Sequence, residues 1–253
     1  MKKLLLSAFV ICLAGTSIAQ ESPLWMRHCA LSPDGTTITY KGDIYTAPST
    51  GGRATQITTN PAFDTEPVWS PDSKQIAFAS DRMGSLDVFV VSSEGGAPQR
   101  LTTHSGSEKP VAYKDNKHIL FTANIAPSAE DAGFPSGQFQ QVYEVAVTGG
   151  RPAMFSSMPM ECISINKEGV MLYQDKKGYE DYWRKHQVSP IARDIWTYTP
   201  GKKPVYQKQT TFGGEDREPV WSPDGKSFYY LSEEKGSFNI FQRTPGTTTS
   251  QQI

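Results

Sequence analysis

One short phrase recurs five times along this chain and constrains its fold more than any other feature. Each copy has a polar turn, a short apolar segment, and then an acidic or amide residue followed by a β-branched residue and an aromatic one. The copies lie roughly 40 to 55 residues apart, which is the spacing of repeat architectures. The turns are Ser32-Pro33-Asp34-Gly35, Ser70-Pro71-Asp72-Ser73, Tyr113-Lys114-Asp115-Asn116, Asn166-Lys167-Glu168-Gly169 and Ser222-Pro223-Asp224-Gly225, and the copies close on Asp43-Ile44-Tyr45, Asp87-Val88-Phe89, Gln141-Val142-Tyr143, Asp194-Ile195-Trp196 and Asn239-Ile240-Phe241.

Each copy carries signals for four strands. Apolar and polar residues alternate with a period of two, and Gly, Pro and Asp turns interrupt them every eight to twelve residues or so. Proline presets φ in the Ser-Pro-Asp-Gly turn, Asp can accept backbone N–H bonds, and glycine takes the left-handed position. Four strands per repeat predict one propeller blade. The fold class is therefore all-β, a β-propeller of WD40-like blades with five repeats present of an expected six.

The repeat register places the blades at residues 24–59, 60–103, 104–157, 158–211 and 212–253. The recurring Asp or Asn before the third strand is expected to cap backbone groups within its blade. The last copy stops at Ile253, whereas Ile57 and Leu101 are each followed by a Thr-Thr pair. Because an unclosed ring leaves open sheet edges, this ending predicts that the chain is a fragment with a truncated last blade.

The first twenty residues have the pattern of a secretory signal peptide. Lys2 and Lys3 precede an apolar run from residue 4 to 14, and Ser17-Ile18-Ala19 offers a small residue on either side of the cleavage region. We expect residues 1–20 to be removed and residues 21–253 to form the propeller. No later apolar run is long enough for a membrane span, so the mature protein is expected to be exported to the periplasm of a Gram-negative envelope.

Charge and cysteine content limit the classes of function. A formal net charge of −1 gives no basic face of the kind that nucleic-acid binders carry. Two cysteines remain after the signal, Cys29 in repeat one and Cys162 in repeat four. In a ring of six blades these positions lie too far apart for a disulfide, which needs a Cα separation below about 7 Å. We predict two unpaired cysteines.

Motifs for catalysis or cofactor binding are missing from the sequence. It contains no Gly-x-Ser-x-Gly elbow, no His-Glu-x-x-His, no phosphate-binding glycine loop and no Cys-x-x-Cys pair. The four histidines are scattered without the spacing of a zinc site. We therefore predict no catalytic, cofactor-binding or metal-binding residues in this chain.

Two repeats are longer than the others at one place, between the second and third strands. The insertions span residues 124–140 and 174–193, and equivalent propeller loops emerge on one face, so they should stand side by side. The second contains aromatic and basic residues of the types enriched at interfaces. Two interpretations stay open: these residues contact a partner or substrate, or the aromatic ones pack the insertion onto its blade while the basic ones remain solvated. The residues are Tyr182, Trp183, Arg184, Lys185 and His186.

The phrases Glu66-Pro67-Val68-Trp69 and Glu218-Pro219-Val220-Trp221, each continuing into Ser-Pro-Asp, resemble TolB-type propeller repeats over nearly all the mature chain. The stretch around residues 179–196, together with a propeller that begins directly after a signal, resembles the amino-terminal propeller of exported tricorn-like serine peptidases. In that family a second propeller, a PDZ domain and the peptidase domain follow. The resemblance implies a module that gates peptides, with polypeptide substrates or the parent's own downstream domains as partners.

Alternatives to this interpretation remain. No catalytic residue of the family can be placed on this sequence, so peptidase activity is implied for an intact parent and not for these residues. The second hypothesis is a TolB-like propeller that binds proteins of the cell envelope, and the third is the propeller of a prolyl-oligopeptidase-type enzyme. A homo-oligomer of the intact protein also stays open. The coding sequence after Ile253 would discriminate between these hypotheses.

Overall fold

The computed structural model describes residues 27–32, 37–40, 42–125, 139–179, 186 and 188–253. These residues form twenty strands in five antiparallel sheets, each with its four strands side by side in chain order. The predicted signal peptide lies outside them. The strands of the five sheets are, in turn, β1 Ala30–Leu31, β2 Thr37–Tyr40, β3 Tyr45–Pro48 and β4 Thr55–Gln56; β5 Asp64–Trp69, β6 Gln75–Ser80, β7 Asp87–Ser92 and β8 Gln99–Arg100; β9 Lys109–Asp115, β10 His118–Ala123, β11 Gln141–Ala146 and β12 Ala153–Ser156; β13 Met160–Ile165, β14 Met171–Asp175, β15 Ile195–Thr199 and β16 Val205–Lys208; β17 Asp216–Trp221, β18 Phe228–Ser232, β19 Asn239–Arg243 and β20 Gln251–Gln252.

The sheets are arranged as propeller blades. The first strand of each sheet contacts the first strand of the next, in the order β1, β5, β9, β13 and β17. First strands that touch in sequence are the inner strands around a common axis, which is the arrangement of a propeller. The predicted all-β propeller of four-stranded blades is confirmed, while the sixth blade stays a prediction. Within the described part of the chain, no helix has the length and apolarity to cross a membrane.

The repeated turns work as the sequence predicts. In the second blade Ser70 Oγ donates to Asp72 Oδ1 at 2.8 Å, and the N–H of Lys74 donates to the same oxygen at 3.2 Å. The hydrogen bond from Ser70 lowers the pKa of Asp72. The fourth residue of this turn, Ser73, has φ +59°, and Gly225 at the same place in the fifth blade has φ +72°. Glycine adopts this left-handed conformation at no steric cost, whereas serine adopts it with strain.

The recurring Asp before the third strand has a different role from the expected backbone cap. Asp87 is fully buried and pairs with Arg100 of the fourth strand at 2.8 Å, and Asp194 pairs with Lys208 at 2.8 Å in the same way. A buried carboxylate requires a cation or several donors, and the fourth strand supplies the cation here. The cap is instead the first residue of each Thr-Thr pair, because Thr102 Oγ1 accepts the N–H of Val88 at 2.9 Å. The same bond joins Ile44 to Thr58 at 3.0 Å and Ile195 to Thr210 at 3.0 Å.

Each blade buries one apolar face against the next blade. Ala77, Val88 and Val90 of the second sheet pack against Ile119 and Phe121 of the third sheet. The corresponding face of the fifth sheet is open in the described structure: Val220 is 55% exposed and Ile240 is 50% exposed. The fourth strand of this sheet is nevertheless in place, because the N–H of Ile253 donates to Ile240 O at 2.9 Å, as Leu101 donates to Val88 at 2.8 Å.

Candidate functional site

Of the five contact residues predicted from the sequence, only the last is within the described structure. Tyr182, Trp183, Arg184 and Lys185 lie outside the described residues. His186 has a left-handed backbone with φ +57°, and its side chain is 59% exposed. The backbone N–H of His186 donates to the buried carboxylate of Glu233 at 2.6 Å, in the turn after β18. The insertion of the fourth blade therefore contacts the fifth blade.

A network of ion pairs holds the base of this insertion. Lys176, which follows β14, pairs with Glu161 at 2.9 Å. Arg193, at the other end of the insertion, pairs through Nε with Glu161 at 3.2 Å and through Nη1 with Glu215 at 2.7 Å. Both ends of the insertion are thus tied to β13, and the Arg193 end is also tied to the entry of β17. We call this set of four residues, Glu161, Lys176, Arg193 and Glu215, the base network.

Electrostatic interactions within the base network keep the carboxylate of Glu161 ionised. Burial by itself would raise the pKa of Glu161, but hydrogen bonds from Lys176 and Gln174 and the charge of Arg193 outweigh burial and lower it. Burial likewise works against the charge of Arg193, and the bonds and charges of Glu215 and Glu161 outweigh it and raise the Arg193 pKa. A cluster satisfied in this way holds a loop in position and shows no poised acid or base.

A second feature lies on the inner strands, at one equivalent position of the repeat. His28, Glu66, Cys162 and Glu218 occupy this position in blades one, two, four and five, and all four have φ between +50° and +54°. Each of the last three lies where the first strand is out of register with the second, as in a β-bulge. Glu66 and Cys162 have the same φ, as expected of equivalent positions in two repeats. Lys109 takes this position in the third blade. We call these five residues the inner ring.

Charge pairs link the inner ring across blades. The carboxylate of Glu66 contacts His28 Nδ1 at 3.1 Å and Lys109 Nζ at 3.5 Å, so one side chain of the second blade joins the first and third blades.

Cys162 is a free thiol, as is Cys29, which agrees with the predicted unpaired state. Cys162 is exposed to solvent, yet its thiol is largely surrounded by protein atoms. Burial, followed by the charges of Glu218, Glu161 and Glu66, raises the pKa of the Cys162 thiol to about 12. Because the thiolate is the nucleophile, this cysteine is unsuited to covalent catalysis.

Two cavities open near these features. The one between the inner ring and the base network has a volume of about 220 Å³ and includes Glu66, Lys109, Glu161 and Lys176 in its lining. A larger and more open depression of about 400 Å³ lies between the first two blades, beside Phe63. A Cβ at Gly42 would lie 3.3 Å from two carbons of the exposed Phe63 ring, so a side chain there would require this ring to shift. The smaller cavity adjoins the bases of both insertions, because Gln140 and Lys176 line it.

Within the described ranges, no group of three or more His, Cys, Asp or Glu side chains is placed to hold a metal ion. The arrangement consists of charge pairs and apolar walls, and such groups bind and orient a ligand. Sequence reasoning missed Glu161, Glu215 and Glu233, because none of them belongs to the turns or to the Asp-Ile-aromatic phrases that mark the repeat. Glu66 and Glu218 carried a usable signal, since both stand in the repeated Glu-Pro-Val-Trp phrase.

Comparison with known proteins agrees with this architecture. Tricorn protease homolog 1 of Streptomyces coelicolor is 34% identical over 222 residues, which cover 87% of this chain and 20% of that protein. This chain therefore spans about a fifth of the length of that relative.

Solved structures show the same fold at low identity. The structure of the tricorn protease matches with a TM-score of 0.71 at 16% identity, over 90% of this chain and 22% of that one. TolB from Acinetobacter baumannii matches with a TM-score of 0.65 at 17% identity, over 89% of this chain and 51% of that one. A profile of the tricorn protease N-terminal beta propeller domain matches residues 23–253. Since that match covers nearly the whole chain, the chain belongs to the family of tricorn protease N-terminal β-propeller domains.

Proposed function

We propose that this chain is the substrate-gating propeller of an exported tricorn-like serine peptidase. It binds unstructured polypeptide on the face that carries the two insertions and passes it toward a peptidase domain outside these residues. The observation that carries this proposal is the base network, which ties both ends of the longest insertion to β13 and its Arg193 end also to the fifth blade, at 2.7–3.2 Å. Ion pairs that fix the two ends of an insertion lower the entropy cost of binding through it.

Export is part of the proposal and rests on the amino terminus. Lys2 and Lys3, the apolar run after them and Ala19 fit a secretory signal peptide.

Catalysis is assigned to the parent enzyme alone. The purified chain is expected to leave unstructured peptides uncut, and peptidase turnover that co-purifies with this chain and survives inhibition of contaminating proteases would contradict that assignment.

The direct test is peptide binding by the insertion. A fluorescein-labelled mixture of casein peptides is titrated with the chain, and anisotropy reports binding. Trp183→Ala and Arg184→Ala together are expected to weaken binding at least tenfold, because aromatic and Arg side chains dominate binding energies at interfaces. Lys114→Met is the matched control: it removes a basic residue near the end of β9, away from the insertions, that pairs with Glu144 at 2.7 Å.

The outcome that would contradict gating is equal binding by the wild type and the double variant, with unchanged circular dichroism.

A second candidate, a TolB-like propeller that docks envelope proteins, is favoured by the fold shared with TolB from Acinetobacter baumannii. Sequencing the gene past Ile253 separates the two. A second propeller, a PDZ domain and a peptidase domain support gating, and a stop after one more blade supports docking.

A further inference from the structure

The cavity between the inner ring and the base network has a balanced set of charges. Its lining includes two ammonium groups, Lys109 and Lys176, and two carboxylates, Glu66 and Glu161. These four side chains are between 21% and 38% exposed, so solvent reaches them. A ligand with one net charge would leave one of these groups unpaired at a half-buried site, which is costly. A ligand with one positive and one negative group would leave none.

The two charge pairs differ in how firmly they are closed. Glu161 accepts from Lys176 at 2.9 Å, from Gln174 at 3.0 Å and from Arg193 at 3.2 Å, so its oxygens are engaged. The Glu66–Lys109 pair is longer, at 3.5 Å. An ammonium group has three N–H donors, and among the described residues this is the one ion pair that Lys109 makes. Lys109 can therefore turn toward a bound carboxylate. The carboxylate of Glu66 also contacts His28 Nδ1 at 3.1 Å, and its remaining lone pairs can accept from a bound ammonium group.

The rest of the lining consists of four apolar residues together with Thr122, Gln140 and Cys162. Pro110 and Met160 are buried, and Val111 and Pro159 are partly buried beside them. Methionine adapts its shape to different apolar groups. This wall would hold an aliphatic side chain while the charged groups stay at the solvent-accessible side.

The size of the cavity limits the ligand further. At about 220 Å³ it is smaller than the roughly 300–1,000 Å³ of pockets for drug-sized molecules. An internal peptide segment carries neither terminal charge, and one end of a long peptide carries only one. A free α-amino acid carries an ammonium group and a carboxylate on the same carbon atom, and it has the required size.

We propose that this cavity binds a free α-amino acid with an aliphatic side chain. The carboxylate of the ligand lies against Lys109, its ammonium group against Glu66, and its side chain against Pro110 and Met160. The site does not require peptide gating: a propeller that never handles polypeptide could hold it.

The test uses the wild-type chain and a set of related ligands. Isothermal titration with L-leucine is expected to show saturable binding at one site per chain. N-acetyl-L-leucine lacks the ammonium group and L-leucinamide lacks the carboxylate, so each is expected to bind at least tenfold more weakly. Trileucine separates the two charges and is also expected to bind at least tenfold more weakly.

Variants then locate the site. Lys109→Met and Glu66→Gln are each expected to weaken leucine binding at least tenfold, while Lys114→Met on the same blade leaves it within twofold. Absence of saturable leucine binding would overturn the proposal, and so would equal affinity for leucine and its two blocked forms. If the two variants fold poorly, the ligand comparison on the wild-type chain decides alone. Casein-peptide binding by the same preparation is read separately, so loss of one activity leaves the other interpretable.

Discussion

The backbone N–H of His186 donates a hydrogen bond to Glu233 Oε2 at 2.6 Å, and this bond joins the insertion of the fourth blade to the fifth blade. Glu233 is only 4% exposed. A hydrogen bond to a charged acceptor contributes about 1.5–3 kcal/mol. The backbone of His186, within the candidate binding insertion, is therefore anchored by a residue of the neighbouring blade.

Removing this bond should expose the insertion to proteases. Glu233→Ala is expected to speed tryptic cleavage after Arg184 and Lys185 about tenfold, since a loss of roughly 1.4 kcal/mol is a factor of ten in the open population. Mass spectrometry of a cleavage time course gives the rate. Glu234→Ala is the control, because this neighbouring carboxylate is exposed and its one ion pair among the described residues is with Lys235 at 3.9 Å. Equal cleavage rates in the two variants would show that the bond does not hold the loop.

Loss of the cation opposite a buried carboxylate should destabilise the second blade. Arg100→Met leaves Asp87, whose side chain has no solvent exposure, without its partner at 2.8 Å. Breaking a buried pair from one side costs about 3–5 kcal/mol, and the partial exposure of Arg100 places the expected loss in unfolding free energy near the lower value. Urea denaturation measures it. Lys114→Met breaks an exposed pair and should cost no more than about 1 kcal/mol, so similar losses in both variants would contradict the role of burial.

Stability should fall as pH rises through the range of two buried acids. Burial, the largest cause in each case, raises the pKa of Asp216 from 3.8 to about 7 and that of Glu108 from 4.5 to about 6. An acid whose pKa is higher in the folded state favours folding while it is protonated. Its contribution to the free energy of unfolding is complete below about pH 4 and is lost by about pH 7.

The measurement is the free energy of unfolding at pH 5 and pH 7.5 for the wild type and for Asp216→Asn. The variant cannot ionise at this position, so its stability should decline less between these two pH values, by on the order of 1–3 kcal/mol. Glu94→Gln, at an exposed turn, should keep the wild-type profile. Identical profiles for the wild type and Asp216→Asn would show that Asp216 is ionised throughout.

Cys162 should be unusually slow to alkylate. With a pKa of about 12, its thiolate is scarce at pH 8, whereas a free cysteine has a pKa near 8.5. In a Cys29→Ser background, iodoacetamide is expected to modify Cys162 at least a hundredfold more slowly than free cysteine. Unfolding in urea should remove this difference, and Glu218→Gln should speed the reaction by removing the neighbouring charge that raises the Cys162 pKa most. Rapid modification of the folded chain would contradict the raised pKa.

Local chemistry determined most of the fold. A period of two in apolar residues, together with Pro-Asp-Gly turns, specifies strands and their connections within a few residues of each other. Five repeats of that pattern therefore predicted five four-stranded blades. The same reasoning misassigned the Asp before the third strand, because its partner, as in Asp87 and Arg100, comes from another strand whose cation does not recur in every blade.

The sequence by itself determined the repeat, the blade and the equivalence of positions such as Glu66 and Cys162, because these depend on backbone hydrogen bonds and turns between near neighbours. Only the tertiary structure decided which side chains meet between blades. The contacts of Glu66 with His28 and Lys109, and of His186 with Glu233, depend on the separation and tilt of neighbouring sheets. Packing of large and small side chains across each blade interface sets that geometry, and no local pattern in the chain encodes it.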